Sequence, residues 1–218
     1  MTKDVPLSPP SRAGSLALAG GVLCLDFTNT ASGRGTDHHI EHLRCFDHLL
    51  AWACHVGLAD EHQRQSLQAA ATHRPRRARQ VVEQAHRLRE AIYDLFRARV
   101  AGGEPPAWAL AELNLVLARG MAAAVVAPTS NGFVWDWPDR GETPEGLLWP
   151  IARSAAELLT SPQLGRVKPC PGQNCGWLFL DQTRNGRRRW CEMDVCGSRA
   201  KMRRYHQRRR IAPAASSF

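Results

Sequence analysis

At 218 residues, with 44% hydrophobic and 22% charged residues, the chain has room for one large domain or one medium domain with a small appendage. That composition excludes a disordered, collagen-like or coiled-coil chain, and no apolar run approaches the roughly 18 residues needed to cross a bilayer. The formal net charge of +9 resides between Arg184 and Arg210, where ten arginines and Lys201 face only Glu192 and Asp194. A balanced body with a concentrated basic end is the pattern of a polyanion-binding element, because clustered charge attracts phosphates where a diffuse field does not.

The opening MTKDVPLSPPSRAGS lacks an apolar segment before a cleavage site, so the expected setting is the cytoplasm, and residues 1–15 read as a flexible start. In Val22 to Thr30, Leu23, Leu25 and Phe27 alternate onto one side, which predicts an N-terminal strand. Asp47 to Val56 reads as a helix stopped by Gly57, and Asp60 as the N-cap of a second helix reaching Ala71. From Arg76 to Val100, apolar residues recur at three- and four-residue steps, predicting the longest helix, ended by Gly102-Gly103. Pro105-Pro106 opens another that reaches Gly120. Two strands joined at Asn131-Gly132 form a hairpin, with Trp135 and Trp137 as pocket walls or packing residues. Leu147 to Leu159 makes a last helix with Pro150 in its first turn. The expected fold is mainly α with a small β component, and SPQLGRVK marks a boundary that divides residues 16–165 from 166–210, with 211–218 as a tail.

The seven cysteines follow the same division. Cys24, Cys45 and Cys54 are scattered, whereas Cys170, Cys175, Cys191 and Cys196 form C-x4-C-x15-C-x4-C. The spacing suits one structural Zn²⁺, each short loop bringing two thiolates to the metal; the alternative is two disulfides or free buried thiols. WLFL at 177–180 and Arg188 to Cys191 are expected to form a hairpin across DQTRNG, and the chain after Gly197 a helix capped by Ser198. Knuckle, hairpin and helix describe a treble-clef-like four-cysteine finger.

On that helix Ser198, Met202, Tyr205 and Arg209 lie three or four apart and are expected to form a buried seam. Arg199, Arg203, His206 and Arg210 then share one outward stripe and Lys201, Arg204 and Arg208 another, able to lie along phosphates and reach guanine edges. Arg187, Arg188, Arg189 and Arg199 also stand near the thiolates, whose charge of about −2 they offset. The predicted nucleic-acid set is Arg187, Arg188, Arg189, Arg199, Lys201, Arg203, Arg204, Arg208 and Arg210; the alternative for the tail is a solvated basic helix.

The stretch LCLDFTNT near the start and CGWLFLDQTRNGRRRWCEMDVCGSRAKMRRYHQRRR at the end resemble the CGNR zinc-finger family. The resemblance implies an N-terminal helical domain, called ABATE, coupled to a C-terminal zinc finger, in proteins described as stress-induced transcription regulators of bacteria. It matches Cys170, Cys175, Cys191 and Cys196 to the metal ligands, and Arg199 and Lys201 to the basic residues of the signature. Ser198 stands where the signature has Asn, which keeps a capping oxygen and loses a bidentate amide.

Asp26 and Asn29 in LDFTNT are ligand contacts or structural groups, with Arg89 or another helix arginine the expected partner of Asp26. His38, Glu41 and His42 satisfy H-x-x-E-H with Cys45 on the same helical face, a peptidase pattern for which exposed histidines are the ordinary reading. G-x-S-x-G, P-loop and G-x-G-x-x-G signatures do not occur, so the chain reads as a non-enzymatic, nucleoid-associated regulator that binds DNA and takes one zinc. RNA is the second partner class, and an effector or a homodimer would involve the N-terminal domain. An enzyme in that domain is the third reading.

Overall fold

A computed structural model of the protein describes residues 11–211, except for the side chains of Asp139, Arg140, Arg210 and Ile211. The predicted flexible start therefore lies mostly outside the described residues. Its last part is ordered: Ala13–Ser15 forms a 3-10 turn against the helical domain, Ala13 is buried, and Ser11 Oγ donates to His42 O at 2.7 Å.

The first element corrects the strand prediction. Leu23–Thr28 is a helix, α1, and Cys24, Leu25, Phe27 and Thr28 in it are all buried. A six-residue helix enclosed on nearly every side is a continuous apolar run, in which alternation of the larger residues carries no information. Thr28 and Thr30 close it, their hydroxyls donating to Leu25 O and Phe27 O. Two short strands follow, β1 (Ala31–Ser32) and β2 (Ile40–Glu41), paired antiparallel.

Helices α2 (Phe46–His55) and α3 (Glu61–His73) come where expected. Asp60 caps α3 in a reciprocal box with Gln63: Gln63 N–H donates to Asp60 Oδ1 at 2.8 Å and Asp60 N–H to Gln63 Oε1 at 3.1 Å. The axis of the domain is α4 (Pro75–Ala101), opened by Pro75 and closed by Gly102 in the left-handed region. Its stripe of Val81, Ala85, Leu88, Ile92, Leu95 and Phe96 is buried against the surrounding helices. Next come α5 (Ala107–Ala122) and the hairpin of β3 (Val125–Thr129) and β4 (Gly132–Asp136). The two-residue turn is Ser130-Asn131, one residue earlier than expected, because Gly132 already pairs with Thr129. A 3-10 turn at Pro144–Leu148 leads into α6 (Trp149–Leu159), with Pro150 in its first turn. The α5–α6 crossing is close: a Cβ on Gly120 would stand 2.8 Å from Trp149 Cβ.

The C-terminal region contains β5 (Val167–Pro169), β6 (Leu178–Leu180) and α7 (Ser198–Ile211). β6 does not pair with Arg188 to Cys191, as the sequence suggests. Its partner is β5, in the register Val167↔Leu180, Lys168↔Phe179 and Pro169↔Leu178. The first cysteine loop is itself the hairpin turn and returns the chain beside VKP. The other edge of β6 meets the N-terminal domain, where Leu180 N–H donates to Gly20 O at 2.8 Å and the Asn29 carboxamide brackets Leu178. Leu178, Phe179 and Leu180 join the same buried cluster as α1, α4 and α6, so packing is continuous across the sequence boundary at 165/166.

One buried ion pair organises the β1–β2 side. Arg89, 2% exposed, donates through Nη1 to Glu41 Oε1 at 2.7 Å and through Nη2 to Glu41 Oε2, with Thr30 Oγ1 at 3.1 Å. Burial alone would push Glu41 up, but the Arg89 fork outweighs it and holds the carboxyl at about 2. Removing one partner strands a desolvated charge, whereas replacing both removes the need for pairing. Arg89→Ala is therefore expected to cost about 3 kcal/mol, and Arg89→Met with Glu41→Leu clearly less. Urea melts of the two variants check this; equal losses would contradict it.

Candidate metal centre and nucleic-acid interface

Two short loops build the metal centre. At the end of β5, Cys170 N–H donates to Trp177 O at 2.8 Å, extending the β5–β6 ladder past the first ligand. The loop turns through Asn174 and Gly176, both at positive φ, and brings Cys175 alongside Cys170. A Cβ on Gly172 would lie 2.8 Å from Cys196 Sγ, so a side chain there would collide with the sulfur cage. The second pair spans the π-helical turn Met193–Gly197, which runs directly into α7.

The four Sγ atoms lie within 4.8 Å of one another, with Cys175–Cys191 and Cys191–Cys196 at 3.6 Å. Zn–S bonds of about 2.3 Å give a tetrahedral edge of roughly 3.8 Å, so the cage fits one Zn²⁺. Four thiolates select a soft-to-borderline cation and leave no open position, which makes the site structural. Cys170 accepts hydrogen bonds from the Cys175 and Cys191 thiols and from Cys191 N–H, which holds it well below an ordinary thiol. Donating to Cys170 pushes Cys175 up to about 12, and Cys191 moves in the same direction. Thiolates so close repel one another; a dication removes that cost, and its binding releases protons.

The loop from β6 to the second cysteine pair is tied by Asp181, which is fully buried. Its carboxylate accepts from Lys168 Nζ at 2.7 Å, Thr183 Oγ1 at 2.6 Å and the N–H groups of Thr183 and Arg188. Lys168 and these donors hold Asp181 below the usual carboxylate range. Arg188 points inward: its guanidinium donates to Trp190 O, Cys191 O and Ala19 O, and lies 4.6 Å from the Phe179 ring centroid. It locks the second cysteine loop to the N-terminal domain, which sets it apart from the outward arginines with which the sequence grouped it.

Helix α7 leaves this knot with only Ala200 buried among its described side chains, and Cys196 and Ala200, four apart, face the metal side. The expected seam is on the opposite side: Met202 is 54% and Tyr205 52% exposed. The ligand at 196 fixes the helix phase, and beyond its first turn nothing remains for the helix to cover. Ser198 is not a cap either; it has helical φ and ψ, and its hydroxyl donates to Met193 O at 3.4 Å, because the preceding turn already continues the helix. Arg199, Lys201, Arg204 and Arg208 are exposed and Arg203 half-buried, and among the described residues none of them forms an ion pair. Arg187 and Arg189 are exposed, Arg189 stacking on Trp190. The Arg210 side chain lies outside the described residues.

Comparison with known families now decides what the two halves are. The ABATE family, described as a putative stress-induced transcription regulator, matches residues 21–162, and the CGNR zinc finger matches residues 166–209. The chain belongs to the ABATE family and carries a CGNR zinc finger. The comparison with curated proteins gave no match. Both families are of regulator and zinc-finger type, and the four CGNR cysteines form one structural zinc site.

Within the ABATE domain the predicted ligand residues separate. Arg89 faces Glu41 and not Asp26. Asp26 Oδ1 accepts from Gly20 N–H at 2.7 Å, and Asn29, buried, holds Leu178 through Nδ2–H to O at 2.9 Å and Oδ1 from N–H at 3.0 Å. All three hydrogen-bond to groups of the chain itself. The H-x-x-E-H residues lie in a loop and short strand: His38 is exposed, Glu41 is held by Arg89, and His42 is buried with Nδ1 accepting from Arg12 N–H. Trp137 is packed, its Nε1 donating to Gly120 O at 2.7 Å, while Trp135 is exposed. The sequence reading missed Asp181, whose D-x-T pattern is a side-chain turn signal, and Glu41, whose role depends on a partner 48 residues away.

Two outcomes follow from this geometry. Cys191→Ser is expected to lose the single zinc per chain and lower the melting temperature, as Gly172→Ala should more mildly, by metal analysis and thermal melts; full metal in Cys191→Ser would contradict the assignment. Burial raises Asp26 from 3.8 to about 6. Its contribution to stability is thus fully present below pH 4 and lost as pH rises through about 6. Asp26→Asn, which retains an oxygen for Gly20 N–H, should melt higher than the parent at pH 7.5, with the gain vanishing near pH 4. A gain independent of pH would argue against this.

Proposed function

We propose that the protein is a bacterial transcription regulator that binds duplex DNA through α7, residues 166–210 serving as the DNA-binding unit and 16–165 as the regulatory one. The observation that carries the reading is a basic helix without ion-paired partners, standing out from a metal-fixed knot. Arg199 and Arg203 form one rail, continued in sequence by Arg210, and Lys201, Arg204 and Arg208 form the other; Arg187 and Arg189 extend the positive surface. Met202 and Tyr205 occupy the outward face between the ends of these rails, the position from which a helix in the major groove meets base edges. This reading places the protein on the nucleoid.

A cleft of about 860 Å³ between the two units is the proposed effector site. It is lined by Arg12, Ile40 and His42 from the body and by Trp177, Arg199 and Arg203 from the finger, the last two in the first turns of α7, so an occupant would compete for arginines that DNA also needs.

Binding to duplex DNA as a function of salt tests the reading. With about six phosphates neutralised, the log-log slope should be near roughly −5, and Arg208→Ala should lower its magnitude by about 1 on every sequence. Arg199→Ala or Tyr205→Ala should cost about 1–3 kcal/mol on a selected site and little on random DNA. Structured RNA outcompeting every duplex at equal salt would replace this reading with an RNA-binding one.

A further inference from the structure

The segment from Ala107 to Asp136, α5 and the hairpin after it, is at odds with a surface meant for water. Its only charged residues are Glu112, Arg119 and Asp136, and Glu112 lies 3.6 Å from Arg87 at the edge of α4. Helix α5 buries Ala109, Leu113, Val116 and Gly120 against the core, yet its opposite side is apolar too. There Trp108 is 49%, Leu110 46%, Leu115 47% and Met121 42% exposed. A helix apolar all round is one that is covered on both sides in its working state. The hairpin that follows also exposes apolar side chains: Val126, Phe133 and Trp135 lie on one face of it, with exposures of 60%, 77% and 42%, and Arg153 of α6 stands 5.0 Å from the Trp135 ring centroid.

We propose that this surface joins two copies of the chain, α5 packing on α5. Along the outermost line of the helix, Ala111, Ala118 and Ala122 form a low ridge, with the row of Trp108 and Leu115 on one side and that of Leu110 and Met121 on the other. A twofold axis through the ridge sets it against itself, lets the axes approach to about 8 Å, and drops each large row into the groove beside the other ridge. Taken together, the exposed large side chains of α5 and the hairpin amount to several hundred Å² per copy, to be compared with the ~800 Å² per partner of a standard interface. Self-complementarity about the twofold axis selects a second copy over a different protein, with Arg119, the exposed charge of α5, at the rim beside Trp108 and Leu115. Transient contacts are only as apolar as average surface, whereas homodimer interfaces are depleted of charge at their centre.

Sedimentation of the zinc-loaded, nuclease-treated full chain, in reductant because Cys45 is exposed, reads the mass directly and independently of DNA binding. The expected mass at micromolar concentration is twice the 24.2 kDa of one chain. Ala118→Glu and Leu115→Glu, both on exposed positions, should raise the dimer dissociation constant at least tenfold while leaving zinc content and melting of the monomer unchanged. Leu18→Glu, an equally exposed apolar position elsewhere, should leave the dimer intact. A monomer up to about 100 μM, or a dimer that survives both glutamate substitutions, overturns the proposal.

Discussion

A buried carboxamide stands at the centre of the joint between the two halves of this protein. Asn29, at the end of α1, presents its amide as if it were a peptide group: Oδ1 accepts Leu178 N–H and Nδ2 donates to Leu178 O. It thereby fills the free edge of β6, which would otherwise leave a buried donor and acceptor unpaired. Neither Asp nor Leu can replace it, since one lacks the donor and the other lacks both groups. Gly20 O, taking Leu180 N–H, and Gly33 N–H, donating to Cys175 O, extend the same pairing to either side. The finger is thus docked by strand-like hydrogen bonds, and the bearing of α7 is set by the ABATE domain as much as by the metal.

Charge is arranged in two tiers on this frame. The arginines that face inward, Arg89 and Arg188, are held by carboxylate or carbonyl oxygens and position the backbone. The basic residues of α7 form no ion pair among the described residues, and they lie on a helix without a carboxylate of its own. A net charge of +9 therefore measures little by itself. What matters is that the chain neutralises its buried cations locally and leaves those of α7 without a carboxylate partner among the described residues.

Much of this was legible in the sequence where a local rule governs the outcome. The N-cap at Asp60, the stop at Gly102, the 27-residue helix and the four ligands each rest on a few neighbouring residues. The failures occur where a distant partner decides. α1 reads as a strand because burial on nearly every side erases periodicity. β6 pairs upstream because the first cysteine loop doubles as its turn. Met202 and Tyr205 look like a seam because helical spacing says which residues share a face, not which face is covered; Cys196 carried that information four residues before Ala200.

The seam also constrains how the chain comes to be folded. Asn29 and Leu178 are 149 residues apart, and α1 lies between α4, α6 and β6. During synthesis the β6 side of the first helix therefore stays uncovered until most of the chain has left the ribosome. Such non-local closure is slow, because loop entropy must be overcome before any contact is gained. Completion of the N-terminal core and arrival of the basic helix become a single late event. A truncated chain that lacks its C-terminal quarter would leave the β6 side of α1 and the Asn29 carboxamide uncovered, so incomplete products are more open to proteolysis.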